Sequence, residues 1–289
     1  MKPAPFDYHA PGSLDEALGL LAALENAKVL AGGQSLVPML NFRYVIVDHL
    51  VDLRRVEGLA GITVTGGVLR IGAMTRQRDI EHSDLVAEHA PLLLAALRHV
   101  GHRQTRNRGT IGGSLVHADP AAEMPAVCAA YDATVEIAGR QGIRKVTFAD
   151  FGLGFMATVV EADEVVTAVE LPLWPNGHGW GFQEIARRHG DFAIAGAAVL
   201  LEVGPDRTVT RTALALCGVA AAPIRLPEAE AALLGRGLDR EAVKRAAASL
   251  AAIEPIGDIH ATVDYRRHVS GVLLARALRD AAAVCGVTL

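Results

Sequence analysis

Two stretches hold the residues whose types and spacing could do chemistry. They are "VLAGGQSLVPML", Val29 to Leu40, and "TIGGSLVHADPAAEMP", Thr110 to Pro125. Each sets an apolar residue before a Gly-Gly pair and a serine close behind it. Glycine pairs weaken helices and strands, so a chain keeps one where its backbone must come close to something. Neither stretch is a Walker A loop, because no Gly-Lys-Ser/Thr follows, and neither is the Rossmann G-x-G-x-x-G. The shared pattern is an extended segment that ends in Gly-Gly, followed by a hydroxyl or amide side chain. Without a Cβ, successive backbone N–H groups can converge on one anion. Ser35, Thr110 and Ser114 can add hydroxyls. One such loop suits one phosphate, and two brought together suit a pyrophosphate. On pattern alone, two tight turns without a ligand remain the alternative.

Other reactive types form no such pattern. His99, His102, His117 and Asp119 lie close in sequence, but their spacing fits no common metal site. They read as surface or hydrogen-bonding groups. Cys128, Cys217 and Cys285 are far apart and form no C-x-x-C pair, so they read as buried or partly buried thiols. The arginines of "RQTRNRG", Arg103 to Gly109, suit a solvated loop, a partner contact or a phosphate contact. Asp191 reads as a turn residue rather than a catalytic acid.

The elements that must position these residues follow from periodicity. "PGSLDEALGLLAAL" predicts a helix with Ser13 as its cap and Glu16 completing a capping box. "AKVLAG" is a short strand that runs into Gly32-Gly33, and "SLVPMLNF" starts a helical turn. "GITVTGGVLRIGA" predicts two strands joined by a Gly-Gly hairpin turn. "TRQRDIEHS", "PLLLAALRHV" and "AAEMPAVCAAYD" predict helices, the second with Pro91 in its first turn. A hairpin follows in "ATVEIAGRQGIRKVTF", then a strand in "EVVTAVELP". "LPLWPNGHGWG", Leu171 to Gly181, is a break with two prolines and three glycines. Beyond it come a three-stranded meander, two helices and a long helix from about Val263, on which Val269, Val272, Leu273 and Ala277 share a face.

Composition bounds the whole. At 289 residues and 51% apolar, the chain is long enough for two domains with sizeable cores. A formal net charge of −4, from 28 basic and 32 acidic residues, gives no basic patch for nucleic acid. No apolar run reaches the length of a transmembrane segment. The opening "MKPAPFDYHAPGS" has prolines and an acid where a signal peptide needs an apolar stretch. The expectation is a cytoplasmic α+β protein. A first domain would cover residues 1–175, with subdomains of about 1–54 and 55–175. A second domain would cover 176–289.

"KVLAGGQSLVPMLNFR", "RNRGTIGGSLVHADPAAEMP" and "FQEIARRHGDFAIAGAAV", in that order, closely resemble the FAD-binding medium subunit of the molybdenum hydroxylases. The resemblance covers essentially the whole chain. It implies a vanillyl-alcohol-oxidase-type flavin fold of two α/β subdomains, with a C-terminal domain of a three-stranded antiparallel sheet and helices. It places Val29, Leu30, Ala31, Gly32, Gly33, Gln34, Ser35 and Leu36 along the adenosine-pyrophosphate half of FAD. It makes Thr110, Ile111, Gly112, Gly113 and Ser114 the second wall, with Val100 and Gly101 supporting the flavin from that side. Glu123 stands where the family usually has Asp on a ribityl or ribose hydroxyl, one methylene shorter. Val166 matches an apolar position beside the ring, and Phe192 one that can stand against it. Gln183 and Glu184 lie where some relatives carry a lysine, and neither is cationic. This branch binds FAD without a covalent bond, so His117 is not expected to carry one.

The resemblance implies an electron-transfer subunit. Substrate would be oxidised on a molybdenum cofactor in a large partner chain. Electrons would pass through [2Fe-2S] clusters of a small partner chain to the FAD here, then to an external acceptor. A dimer of heterotrimers is the expected assembly. Two other classes stand beside it. One is a stand-alone flavin oxidase or dehydrogenase of the same wider fold, which would need a substrate-handling residue over the flavin. The other is a nucleotide-binding module without redox chemistry.

Overall fold

The computed structural model describes residues 1–289. The first sheet has three parallel strands in the order Asp7–His9, His49–Asp52, Ala27–Leu30. Helix Leu14–Ala23 crosses between the two outer strands. Ser13 Oγ accepts from Glu16 N–H at 3.2 Å, and the Glu16 carboxylate accepts from Gly12 N–H at 2.8 Å. The capping box is thus made, with its return bond one residue earlier than the usual one. Ala17, Leu18 and Leu21 bury the apolar side of this helix against Val51 and Leu53.

The second sheet has five antiparallel strands in the order Ile62–Thr65, Val68–Gly72, Val165–Pro172, Thr134–Gly139, Gly142–Thr147. The predicted Gly66-Gly67 turn joins the first two, with both glycines at positive φ. Between Val68–Gly72 and Thr134–Gly139 the chain leaves the sheet. It forms helices Asp84–His89, Pro91–Leu97, Ile111–His117 and Glu123–Ala130, among shorter turns. These bury Leu92, Leu93, Leu97, Leu115 and Met124 in one core with Leu69, Ile71 and Val169 of the sheet.

The third sheet is antiparallel: Gly179–Ala186, Ala193–Val203, Val209–Cys217 and the short Ile224–Arg225. The meander has the predicted three strands plus this two-residue edge. Its central strand is apolar without alternation because both faces are covered. Ala195, Ala197, Val199 and Leu201 face the helices that follow, while Ala198 and Leu200 share the core of the preceding helices. Helices Pro227–Leu233, Arg240–Ala248 and the 22-residue Val263–Val284 close that side. A Cβ at Gly179 or Gly181 would lie 2.2 Å from the carbonyl oxygen of Ala281 or Ala277, so the long helix rests directly on strand backbone.

One expectation is corrected. "TIGGS" is not an extended segment ending in Gly-Gly. Thr110 caps helix Ile111–His117, and Gly112 and Gly113 lie in its first turn. Thr110 supplies a cap of the preferred type, and tertiary packing outweighs the poor helix propensity of the two glycines.

Candidate functional site

Strand Ala27–Leu30 delivers the first glycine loop to the middle of the molecule, and helix Leu36–Asn41 carries the chain away. Gly33 has φ +73°, a conformation that costs an L side chain strain. At Gly32 the constraint is contact: a Cβ there would lie 2.3 Å from the carbonyl oxygen of Arg108. The first loop therefore presses against the segment that leads into Thr110, which joins the two glycine stretches in space. The N–H groups of Gly32, Gly33, Gln34 and Ser35 donate to no acceptor in the chain. Ser35 makes no side-chain cap bond to its helix. A row of free donors beside a left-handed glycine is an anion-binding concavity.

The second stretch plays another part. Ile111 N–H donates to Thr75 O at 3.2 Å, Gly112 N–H to Ala73 O at 2.9 Å, and Ser114 N–H to Thr110 O at 3.1 Å. Gly113 N–H donates to Thr110 Oγ1 at 3.1 Å. Its backbone donors are spent inside the fold, so only the first loop keeps N–H groups free for an anion. The glycines of the second permit close packing. A Cβ at Gly112 would lie 2.5 Å from Ala73 Cβ, and one at Gly113 would lie 2.9 Å from Thr110 Oγ1 and 3.5 Å from Ala31 Cβ.

The two stretches border a cavity of about 530 Å³. Of the residues singled out from sequence, Val29, Ala31, Gly32, Gly33, Gln34, Ser35, Leu36, Val100, Gly101, Thr110, Gly112, Gly113, Ser114, Glu123, Val166 and Phe192 line it. Three do not. Leu30 faces the far side of the first loop, where a second cavity of about 580 Å³ also takes in Arg54, Arg76 and Arg108. Ile111 is fully buried in the core, as the first residue of a helix that packs inward. Gln183 donates to Asp280 Oδ2 at 2.7 Å and is thereby tied to the C-terminal helix. Phe192 stands at the tip of the hairpin between strands Gly179–Ala186 and Ala193–Val203 and is 69% exposed. Gly190 of the same tip packs on the His102 ring.

Arg106 is not free for a ligand. It forks onto Glu81, at 3.0 and 3.2 Å, and donates to Val100 O at 3.1 Å. It therefore fixes the segment that carries Val100 and Gly101. His117 and Asp119 also line the cavity, as do Lys28 and Gln77. Burial holds the His117 imidazole below its ordinary value, against the pull of Asp119. Gln77 is buried, with Oε1 lacking a partner. Nothing in its sequence context marked it.

Glu123 opens helix Glu123–Ala130 at the cavity wall and is 7% exposed. Behind it, within hydrogen-bonding reach, stands Glu184 of strand Gly179–Ala186. Burial pushes both carboxyls well above the carboxylate range; the Asp119 charge adds to the rise at Glu123, and the Glu123 carboxyl adds to the rise at Glu184. The sequence marks Glu184 only as a non-cationic residue on its strand; the pair is not legible there because Glu123 is distant along the chain.

Known proteins are similar to this chain in sequence and in fold. Residues 4–174 match the family described as "FAD binding domain in molybdopterin dehydrogenase", and residues 180–281 match the "CO dehydrogenase flavoprotein C-terminal domain". The carbon monoxide dehydrogenase medium chain of Hydrogenophaga pseudoflava is 39% identical, over 99% of this chain and 100% of that one. The nicotine 6-hydroxylase medium subunit of Paenarthrobacter nicotinovorans is 37% identical, over 98% and 99%. Among solved structures, a carbon monoxide dehydrogenase from H. pseudoflava superposes with a TM-score of 0.95 at 40% identity, covering 99% of this chain and 100% of that chain. Quinoline 2-oxidoreductase from Pseudomonas putida 86 gives 0.94 at 38%, covering 99% of each.

Proposed function

The chain belongs to the FAD-binding medium subunits of the molybdenum hydroxylases, and we propose that it relays electrons from [2Fe-2S] clusters of a small partner chain to an external acceptor. In this reading, substrate is oxidised on the molybdenum cofactor of a large partner chain, and the assembly is a dimer of heterotrimers. Such a two-fold arrangement closes on itself, which is the common form of symmetric assembly. A cytoplasmic setting is part of the proposal. No helix is long and apolar enough to cross a membrane. The two sheets of residues 1–54 and 55–175 are proposed as the subdomains of a vanillyl-alcohol-oxidase-type flavin fold, and 176–289 as its C-terminal domain.

One observation carries the FAD reading: the free N–H row of Gly32 to Ser35 lines the cavity, with Gly32 packed on Arg108 and Gly109. The residues fit a dinucleotide. The first loop would hold the pyrophosphate by backbone donors and the Ser35 hydroxyl. The Gly112-Gly113 turn would form the close wall. Glu123 would accept from a ribityl or ribose hydroxyl, and Val166 and Phe192 would stand beside and against the ring. Bound FAD supplies the electron chemistry, and the protein positions and tunes it. No cavity residue needs to form a covalent link, so the binding is proposed as non-covalent.

The test is direct. The purified chain is denatured by acid without proteolysis, and the released flavin is identified by mass. One FAD per chain, free in the supernatant, supports the reading. FMN would defeat the pyrophosphate argument, and flavin that stays with the precipitate would defeat the non-covalent one. Co-expression with neighbouring genes for a large and a small chain should yield one complex.

A further inference from the structure

The carboxyl groups of Glu123 and Glu184 stand within hydrogen-bonding reach of each other in a place where two bare anions are costly. Glu123 is 7% exposed, and the Glu184 side chain is 4% exposed. No lysine or arginine pairs with either. The one cationic candidate is the imidazole of His99, with Nδ1 3.8 Å from Glu184 Oε1 and its ring packed on Phe182. The other groups turned toward the pair do not neutralise it. Asp119, from the turn before the Glu123 helix, adds a like charge, and Cys217, on the strand Val209–Cys217, is a buried thiol. Burial, with His189 and Arg98 adding to it, holds the His99 imidazole toward the neutral form.

Two ionised carboxylates are both acceptors, so neither can satisfy the other. Glu184 Oε2 is buried and has no donor. A proton on either carboxyl turns this contact into an O–H···O bond and removes one of two buried charges. Burial is the first cause that lifts both groups; Asp119 adds to it at Glu123, and Glu123 adds to it at Glu184.

We infer that Glu123 and Glu184 hold one shared proton at neutral pH and act as a proton store in the wall of the cavity. Glu123 faces the cavity, Glu184 lies behind it, and His99, whose side chain is 34% exposed, links the pair toward solvent. The role of the store rests on the FAD reading above. Bound FAD would need a proton when reduced, and Glu123 would be the residue that gives it. Its O–H bond would break as the proton passes into the cavity, leaving the pair one proton short. A proton then returns from solvent by way of His99 and Glu184 and restores the shared bond. Glu184 is in this sense a positioning residue, and Glu123 is the group at the cavity.

Infrared spectroscopy in H₂O and D₂O tests the pair on the FAD-free and FAD-loaded chain. At neutral pH the wild type should show a protonated carboxyl C=O band that moves on deuteration. Glu184→Gln offers Glu123 an N–H donor, and Glu184→Lys offers it a cation. Either should let Glu123 ionise and abolish the band, with circular dichroism reporting an intact fold. In the loaded chain, the slope of FAD midpoint potential against pH should change across the neutral range and lose that change in both variants. Absence of the band in wild type, or its persistence in both folded variants, overturns the shared proton. A band that responds as expected beside an unchanged potential profile overturns the store. A chain that shows the band yet binds no FAD would refute the proposed function while leaving the acid pair intact.

Discussion

Gly32, Gly33 and Gly113 are the same residue under three different constraints, and substitution should separate them. Gly32 faces a backbone carbonyl at 2.3 Å, which cannot swing aside as a side chain can. Gly33 needs φ +73°, where an ordinary residue loses about 1–2 kcal/mol. At Gly113 the nearest obstacle is the Thr110 hydroxyl at 2.9 Å. Gly32→Ala and Gly33→Val are therefore expected to lose most of their FAD, read as the ratio of flavin to protein absorbance in folded material. Gly113→Ala should keep more than either. Equal loading in all three would show that the first loop is a mere turn. Thr110→Ala removes the cap of the short helix and should cost about 1 kcal/mol in thermal unfolding, while Thr110→Ser should not. The sequence made both glycine pairs legible as places of close backbone approach. It did not show that the donors of one are free and those of the other are spent, because Thr75 and Ala73, which take those of Ile111 and Gly112, lie dozens of residues upstream. Glu184 was equally hidden. A glutamate on a strand looks solvated until its tertiary partner is known.

The elements were legible where local signals agree, and obscure where tertiary contacts decide. The helix at Ser13, the Gly66-Gly67 hairpin and the long helix Val263–Val284 each carry their own cap, turn or periodicity. Strand Asp7–His9 has three residues and no pattern, and it exists because it can pair with His49–Val51. The helix at Ile111 opens with two glycines and exists because Thr110 caps it. The contact between the third sheet and the C-terminal helix gives the sharpest prediction at this scale. Gly179 and Gly181 let backbone meet backbone, so Gly181→Val must push the helix outward. A loss of about 1–3 kcal/mol, the usual range for overpacking, is expected in denaturant unfolding, and Thr65→Val on an outer strand serves as a control with little change. Arg266 fixes the same helix from the other end. It is 5% exposed and donates to Ile194 O at 2.6 Å and to Gly218 O. Arg266→Met fills the volume but strands both carbonyls, so it should cost about 1–3 kcal/mol for each buried acceptor left unmet.

At the scale of the whole molecule, the buried acid pair sets a pH dependence with a definite sign. In the folded FAD-free chain the Glu123–Glu184 pair keeps a proton that the unfolded chain releases in the ordinary carboxylate range. The folded state then binds more protons, so this part of the stability falls as pH rises from that range to neutrality. The Arg144 hydrogen bond to Glu164 acts the other way. It holds that carboxyl low, and its contribution is lost as pH falls through the lowered value. Glu184→Gln should flatten the first slope and leave the second, which urea unfolding at a series of pH values would show. The last prediction concerns what the chain does alone. Its relatives include medium chains of carbon monoxide and nicotine enzymes, whose substrates have little in common. A shared subunit among such different reactions argues that the choice of substrate is made elsewhere. In this chain the cavity wall offers backbone donors and a proton-holding pair, and the sole cationic side chain lining it is Lys28. The three cysteines are free thiols placed far apart in sequence. The purified, FAD-loaded chain should therefore be bleached by dithionite under anaerobic conditions, and carbon monoxide, N-heterocycles or aldehydes should leave it yellow. Adding the small and large chains should restore bleaching by one of these substrates. Reduction by any of them at a catalytic rate without added subunits would replace the relay with a stand-alone flavin enzyme, and the Phe192 tip would be the first place to seek its substrate contacts.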